Sequence, residues 1–151
     1  MSELRELYQE MILDHGRHPR CCYVMAHANR QAKGFNQFCG DNLTLYLDVE
    51  NEAIKDISFT GSGCAISMAS ASLMSETLKG KTKEEAYIFF QFFHELLTHE
   101  QKQTPAIKGS EKLTVFSGVK AYPARIKCAT LAWHTLLLAL REQIGISRDQ
   151  L

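Results

Sequence analysis

The sequence predicts an α+β fold, a small antiparallel β-sheet with helices packed on one face. Two observations carry that prediction: a pair of adjacent segments that alternate apolar and polar residues, and helical apolar spacing in the segments before and after them. A third observation, length, sets the scale. The chain has 151 residues, 17 Lys+Arg against 17 Asp+Glu and 45% hydrophobic residues, which suits one domain over residues 1–151 with a core large enough to fold without staples.

Residues 3 to about 15 form the first predicted helix, because Leu4, Leu7, Tyr8, Met11 and Ile12 fall on one stripe at spacings of three and four. Gly16 and Pro19 end it. From His18 to Gln37 no period emerges, and Cys21, Cys22, Asn29, Gly34 and Asn36 read as an irregular connection. Leu43, Leu45, Leu47 and Val49 then alternate with Thr44, Tyr46 and Asp48 as a half-buried strand. Glu50, Asn51 and Glu52 turn the chain into a second strand over 53–60, carrying Ile57 and Phe59, which makes a hairpin. Gly61-Ser62-Gly63 is expected to break the pairing. Ala65 to Lys79, rich in Ala and Ser, should be a helix set close against its neighbours, with a short third strand through Ile66 as the alternative.

Thr82 and Glu85 have the spacing of a capping box, and Ala86, Phe89, Phe90, Phe93 and Leu97 repeat at helical intervals behind them. Residues 99–110, polar and interrupted by Pro105 and Gly109, predict a linker before a short apolar segment around Leu113, Val115 and Phe116. Pro123 suits the first turn of a final helix whose buried face is Ile126, Ala129, Trp133, Leu136, Leu137 and Leu140, with Gly145 near its end.

Composition narrows the function. Zero formal net charge at pH 7 and the lack of a long basic run argue against nucleic acid as a partner. The segment MSELRELYQEMILDHG is charged and amphipathic, and the apolar stretch near the C-terminus is shorter than the roughly 20 residues of a bilayer crossing. No membrane association is expected, and the protein is read as cytoplasmic. Five cysteines, Cys21, Cys22, Cys39, Cys64 and Cys128, without a recognisable export signal favour free thiols or metal ligands over disulfides.

Cys39-Gly40-Asp41 places a soft thiolate and a hard carboxylate two residues apart, with a glycine between them that can turn both toward one point. Cys64 follows Gly61-Ser62-Gly63, where strand gives way to helix, and Cys128 lies in the first turns of the final helix. Both thiols are therefore expected where a helix N-terminus favours thiolate over thiol. Three sulfurs and one carboxylate make a four-coordinate set suited to tetrahedral zinc or to thiolate ligation of an iron-sulfur cluster. Built on loops around a sheet edge, such a site would be exposed and its ligands exchangeable. Spacing alone leaves a second reading open, in which the three cysteines are small buried hydrophobes.

Other chemistry-bearing residues read differently. Cys21 and Cys22 are adjacent, so their side chains are not expected to point at one metal. His94-Glu95 followed by His99 lacks the i+4 histidine of a zinc protease, since that position is Thr98. His15, His18, His27 and His134 are expected in ordinary helix, loop or surface roles. Arg125 and Lys127 put two positive charges before Cys128. Three thiolates and a carboxylate around a divalent metal leave net negative charge, which a nearby cation offsets while lowering thiol pKa; the alternative is two solvated residues at a helix start.

Cys39-Gly40-Asp41, Gly61-Ser62-Gly63-Cys64-Ala65-Ile66-Ser67 with Ala69-Ser70-Ala71-Ser72, and Arg125-Ile126-Lys127-Cys128-Ala129-Thr130-Leu131-Ala132-Trp133 together resemble the U-type iron-sulfur cluster assembly proteins, over roughly residues 4–143. The scaffold branch of that family usually carries a histidine immediately before the last cysteine and a shorter middle. Here that place is Lys127 and an extra stretch precedes Leu113, so the chain resembles the SufU branch. The resemblance implies the SufE/IscU-like fold and zinc held by Cys39, Asp41, Cys64 and Cys128. It also implies two kinds of protein partner, a SufS-type pyridoxal-phosphate cysteine desulfurase and downstream cluster-assembly or sulfur-acceptor proteins. Where the family often has Asn-Pro-Thr before the first cysteine, this chain has Asn36-Gln37-Phe38, and His18 to Gln31 match poorly.

By the same resemblance, the desulfurase presents a persulfide, one of its histidines replaces a ligand on zinc, and the freed Cys39 attacks the persulfide and carries the sulfur away. Cys64, Cys128 and Asp41 keep the metal, while Arg125 aids docking or charge balance. Two functions share these residues. Zinc-dependent sulfur transfer is the primary expectation, and a scaffold that assembles and passes on a [2Fe-2S] cluster, with iron or the cluster as cargo, is the alternative. Lys127 favours the first. A structural zinc protein without sulfur chemistry is the third reading.

Overall fold

A computed structural model of the chain describes residues 2–98 and 104–141, with side chains described from residue 10 onward. Helix α1 (Ser2–Arg17) is followed by three strands, β1 (Arg30–Asn36), β2 (Asp41–Glu50) and β3 (Ala53–Ser62). Then come α2 (Ala65–Leu78), α3 (Lys83–Leu97), a 3-10 helix (Ser110–Ala121) and α4 (Pro123–Arg141). The strands form one antiparallel sheet in the order β1-β2-β3. Helices α2 and α4 pack on one face of it, α1 lies against α2, and the 3-10 helix packs on α3 and α4.

The hairpin follows from its alternation. Leu43, Leu45 and Leu47 of β2 meet Ile57 and Phe59 of β3 in the core, with each of the five essentially buried. Asn51 and Glu52 both take left-handed φ, 52° and 64°, the turn whose twist matches right-handed strands. The ladder runs further than the glycines suggest, because Gly61 and Ser62 still pair with Leu43 and Asn42.

Strand β1 departs from expectation. Residues Arg30–Asn36, read from the sequence as part of an irregular connection, form an edge strand with Ala32, Gly34 and Asn36 buried and Lys33 and Phe35 exposed. The large apolar residue faces out because α4 lies directly over the other side. A Cβ on Gly34 would run into Thr135 Oγ1 and the Leu131 side chain. Small inward residues let the helix close in, and they leave no apolar period to read.

Ala65–Leu78 is helical, which excludes the strand alternative, and its serines serve close packing. Ser67, Ser70, Ser72 and Ser75 are all buried. Ser72 Oγ lies 2.7 Å from His15 Nδ1 and accepts the Arg20 N–H at 2.8 Å, tying α1 and its exit to α2. The capping box of α3 is complete: the Thr82 N–H donates to Glu85 Oε1 at 2.9 Å, and the Glu85 N–H to Thr82 Oγ1 at 3.0 Å. Phe93 of α3 stacks on Trp133 of α4 with centroids 4.8 Å apart.

The apolar segment around Leu113 is a 3-10 helix. Leu113, Phe116 and Val119 recur every three residues, the period of that helix, and so bury one face. Pro123 opens α4 at a position where no backbone N–H is needed. Of the predicted linker, residues 104–109 are irregular; residues 99–103, like Gly145, lie outside the described residues.

Candidate metal centre

Three segments distant in sequence meet at one end of the sheet. Cys39 and Gly40 end the turn between β1 and β2 and Asp41 opens β2; Gly40 takes φ +68°, a conformation that glycine adopts without a Cβ penalty. Cys64 is the N-cap of α2, and Cys128 lies in the second turn of α4. Cys39 Sγ, Cys128 Sγ and a carboxylate oxygen of Asp41 all fall within 4.8 Å of one another, and the two sulfurs are 2.9 Å apart. Cys64 stands at the edge of this group. It is not one of the three residues gathered within 4.8 Å; its Sγ accepts the Ser67 N–H at 3.4 Å, capping α2.

Asp41 is the floor of the centre. It is wholly buried; Oδ1 accepts the Cys64 N–H at 2.9 Å and Oδ2 accepts an Asn36 Nδ2–H at 3.3 Å. A Cβ at Gly63 would collide with Asp41 Oδ1, which explains why a residue without one precedes Cys64. The expectation of an open site holds only for the rim: Cys39 and Cys64 are partly exposed, whereas Cys128 and Asp41 are buried. Burial, followed by the hydrogen bonds that the Cys128 S–H donates to Cys39 and its other neighbours, pushes the thiol pKa well up, so desolvation outweighs the helix N-terminus expected to lower it.

The donor set fits a metal. Ligands about 2.3 Å from one tetrahedral ion sit about 3.8 Å from each other, so donor atoms already within 4.8 Å need only small side-chain movements to share zinc. Sulfur with one hard oxygen equally suits the irons of a cluster. Of the two cations flagged in the sequence, Arg125 reaches the thiols. Its guanidinium pKa is held up first by a hydrogen bond to Cys128 and then by the charges at Cys64 and Cys128. Lys127 turns away, with Nζ 4.8 Å from the centroid of the exposed Phe38 ring.

The remaining candidates lie elsewhere. Cys21 sits near Lys79 and Asp56, at the opposite end of α2, and Cys22 bridges to Phe59. Glu95 accepts both the N–H and the hydroxyl of Thr104, at 3.0 Å each, and His94 stacks on Phe90; His99 lies outside the described residues. Two residues at the centre escape sequence reasoning, Asn36 and Phe38. The signal available for them is their position just before Cys39, where Asn36 keeps the asparagine of the usual Asn-Pro-Thr text and Phe38 departs from it.

A small sheet covered on one face by helices carries at one end a cluster of cysteines and an aspartate that could hold a metal. The model of the NifU-like N terminal domain family matches residues 7–129, and the chain belongs to this family. It is 39% identical over 136 residues to the iron-sulfur cluster assembly scaffold protein IscU of Thermotoga maritima, covering 90% of this chain and 94% of the relative. It is 33% identical over 144 residues to the zinc-dependent sulfurtransferase SufU of Bacillus subtilis, covering 95% and 96%. A crystal structure from Fervidobacterium islandicum, described as a cluster assembly scaffold for the SUF system, superposes with a TM-score of 0.81 at 34% identity over 87% of this chain and 94% of that one. Function at the family level is thus iron-sulfur cluster assembly. Among the described residues no helix is long and apolar enough to cross a membrane.

Proposed function

We propose that this chain is a scaffold on which a [2Fe-2S] cluster is assembled and released, with Cys39 receiving sulfur from a cysteine desulfurase. The observation that carries this reading is the Asp41 carboxylate, buried beside two thiols and already hydrogen-bonded at each oxygen by the Cys64 N–H and Asn36. Such a carboxylate keeps lone pairs for iron, yet it is a harder and weaker partner than a fourth thiolate. Three thiolates and one such oxygen hold a cluster loosely enough to hand it to downstream proteins. The scaffold IscU of Thermotoga maritima, 39% identical, supports the same reading.

Sulfur arrives as the outer sulfur of a desulfurase persulfide. The Cys39 thiolate attacks that sulfur, the partner's S–S bond breaks, and the partner's cysteine leaves as thiolate, so Cys39 gains the persulfide without net oxidation. Cys39 is suited to this because it lies on the accessible rim. Arg125, whose charge is felt by the cysteines, would offset the negative charge of ligated thiolates.

Zinc-dependent sulfur transfer is the second reading, and Lys127 favours it. Where a histidine would offer a ring nitrogen, Lys127 lies over Phe38 instead, leaving Cys39, Asp41, Cys64 and Cys128 as the set that would hold zinc. Bound zinc would keep the thiolates unprotonated. The sulfurtransferase SufU of Bacillus subtilis supports this reading.

Anaerobic reconstitution with ferrous iron, cysteine, a cysteine desulfurase and a thiol reductant, which reduces the persulfide sulfur to sulfide, separates the two. The scaffold reading expects cluster absorbance, its loss in Cys39→Ser, and transfer of the intact cluster to an apo-ferredoxin. A colourless protein that retains tightly bound zinc and accelerates the desulfurase would replace it with the second reading.

A further inference from the structure

Asn36 ends β1 and is only 8% exposed. Its side chain reaches two members of the ligand set and the backbone beside a third. Nδ2 donates to Asp41 Oδ2 at 3.3 Å and approaches Cys128 Sγ at 3.7 Å, within the longer reach of a hydrogen bond to sulfur. Oδ1 accepts the N–H of Phe38, the residue before Cys39, at 3.3 Å. A backbone N–H can only donate, so this last contact fixes the amide with its NH2 toward the ligands.

Resting on the reading of Cys39, Asp41, Cys64 and Cys128 as ligands, we propose that Asn36 is a positioning residue that orients Asp41 and Cys128, anchors the Cys39 turn, and tunes how strongly the set holds a metal. The chemistry suits an amide in particular. It brings two N–H donors and no charge, so it stabilises a carboxylate and a thiolate without competing for the metal as a histidine or cysteine would. It also fixes Asp41 from the side opposite Cys64: Oδ2 is held by Asn36 and Oδ1 by the Cys64 N–H. An N–H aimed at sulfur draws electron density from it, so the residue acts on the thiolate's donor strength as well as its place.

The test uses the full chain, prepared metal-free and titrated with zinc against a competing chelator and, in parallel, with Co(II), whose sulfur-to-metal charge-transfer absorption reports thiolate donation. Wild-type protein that takes up neither ion sinks the ligand assignment itself, whatever Asn36 does. With wild-type binding established, Asn36→Ala should weaken zinc affinity about 10- to 100-fold, the range for lost outer partners of metal ligands. Its charge-transfer band should move to longer wavelength. Asn36→Asp keeps the side chain's shape but faces Asp41 and Cys128 with acceptors, and should weaken binding at neutral pH at least as much. Circular dichroism confirms that each variant is folded; a residue that only props the fold would lower the melting temperature and leave the Co(II) spectrum of the folded protein unmoved. Zinc affinity equal to or above wild type in either folded variant, or an unshifted band in Asn36→Ala, overturns the proposal.

Discussion

The ammonium of Lys127 lies over the ring of Phe38, with Nζ 4.8 Å from its centroid, and so joins the residue before Cys128 to the residue before Cys39. Beneath this contact the two sulfurs are 2.9 Å apart. The pairing clasps, at the surface, the two segments whose thiols meet below it. At an exposed site a cation over an aromatic face contributes about 0.5–1 kcal/mol, roughly a 2- to 5-fold bias toward the held form of the Cys39 turn.

Loss of the clasp should therefore make Cys39 easier to reach. In metal-free protein, Phe38→Leu is expected to raise the rate of Cys39 alkylation by iodoacetamide about 2- to 5-fold. Lys127→Arg should stay at the wild-type rate, because a guanidinium also stacks on aromatic faces. Peptide-resolved mass spectrometry reads both rates, and identical labelling of Phe38→Leu and wild type would show that the contact holds nothing.

A methyl group at position 63 has to displace the Asp41 carboxylate. Gly63→Ala should lower zinc affinity about tenfold or more and cost about 1–3 kcal/mol of stability from overpacking. Gly80→Ala is the matched comparison: its φ is +86° with nothing within 4 Å of the added carbon, far from the centre. That variant should cost about 1–2 kcal/mol of backbone strain and leave zinc affinity alone. Calorimetric titration and urea denaturation measure both quantities, and equal zinc affinities in the two variants would contradict the role given to Gly63.

His15 makes the fold sensitive to acid. Burial, and after it the repulsion of Arg20, holds its imidazole pKa below the ordinary 6.5, with Glu76 and Asp14 opposing and Lys112 adding to the depression. The unfolded chain therefore binds this proton at higher pH than the folded one. The stability contributed by neutral His15 is complete above about 6.5 and is lost as pH falls from there to the depressed folded value. Denaturation of the metal-free protein across that window should show a slope that flattens in His15→Gln, which still offers Ser72 a partner. An unchanged slope would assign the acid sensitivity to another group.

Thr82→Ala should destabilise the protein by about 1 kcal/mol through loss of the N-cap, with zinc affinity unaltered. The reason is distance: α3 meets the ligand-bearing α4 through the core, at Phe93 and Trp133. Urea denaturation checks the first statement and chelator competition the second.

The legible parts of this molecule are those in which one side chain announces its own role. A thiol and a carboxylate separated by glycine hint at ligand chemistry at Cys39 and Asp41, but spacing alone leaves buried cysteines as an equal reading, and it is the family resemblance that joins Cys64 and Cys128 to them. The hairpin is equally plain, since Leu43, Leu45 and Leu47 need a buried face. Strand β1 is silent because its inward residues, Ala32, Gly34 and Asn36, are chosen for the nearness of α4 rather than for apolar area. Asn36 acquires its contacts only when the fold brings it to Cys128, 92 positions away, and an amide carries no local signature of that. The Lys127 contact is hidden for the same reason, and the depressed tendency of Cys128 to ionise depends on burial that spacing does not reveal.

The 3-10 helix Ser110–Ala121 has twelve residues, several times the usual length for that geometry. Leu113, Phe116 and Val119 keep it wound, since each occupies the core at intervals of three. Relaxing it to an ordinary α-helix would shorten it by about 6 Å, from roughly 2.0 to 1.5 Å per residue, and swing one of those side chains into water. Because α4 starts at Pro123, the bearing of Arg125 and Cys128 is inherited from a stretch that holds none of the proposed ligands. Respacing its apolar residues to a 3.6 rhythm is therefore a remote handle, one that re-aims the reactive end of the molecule while leaving every reactive group in place.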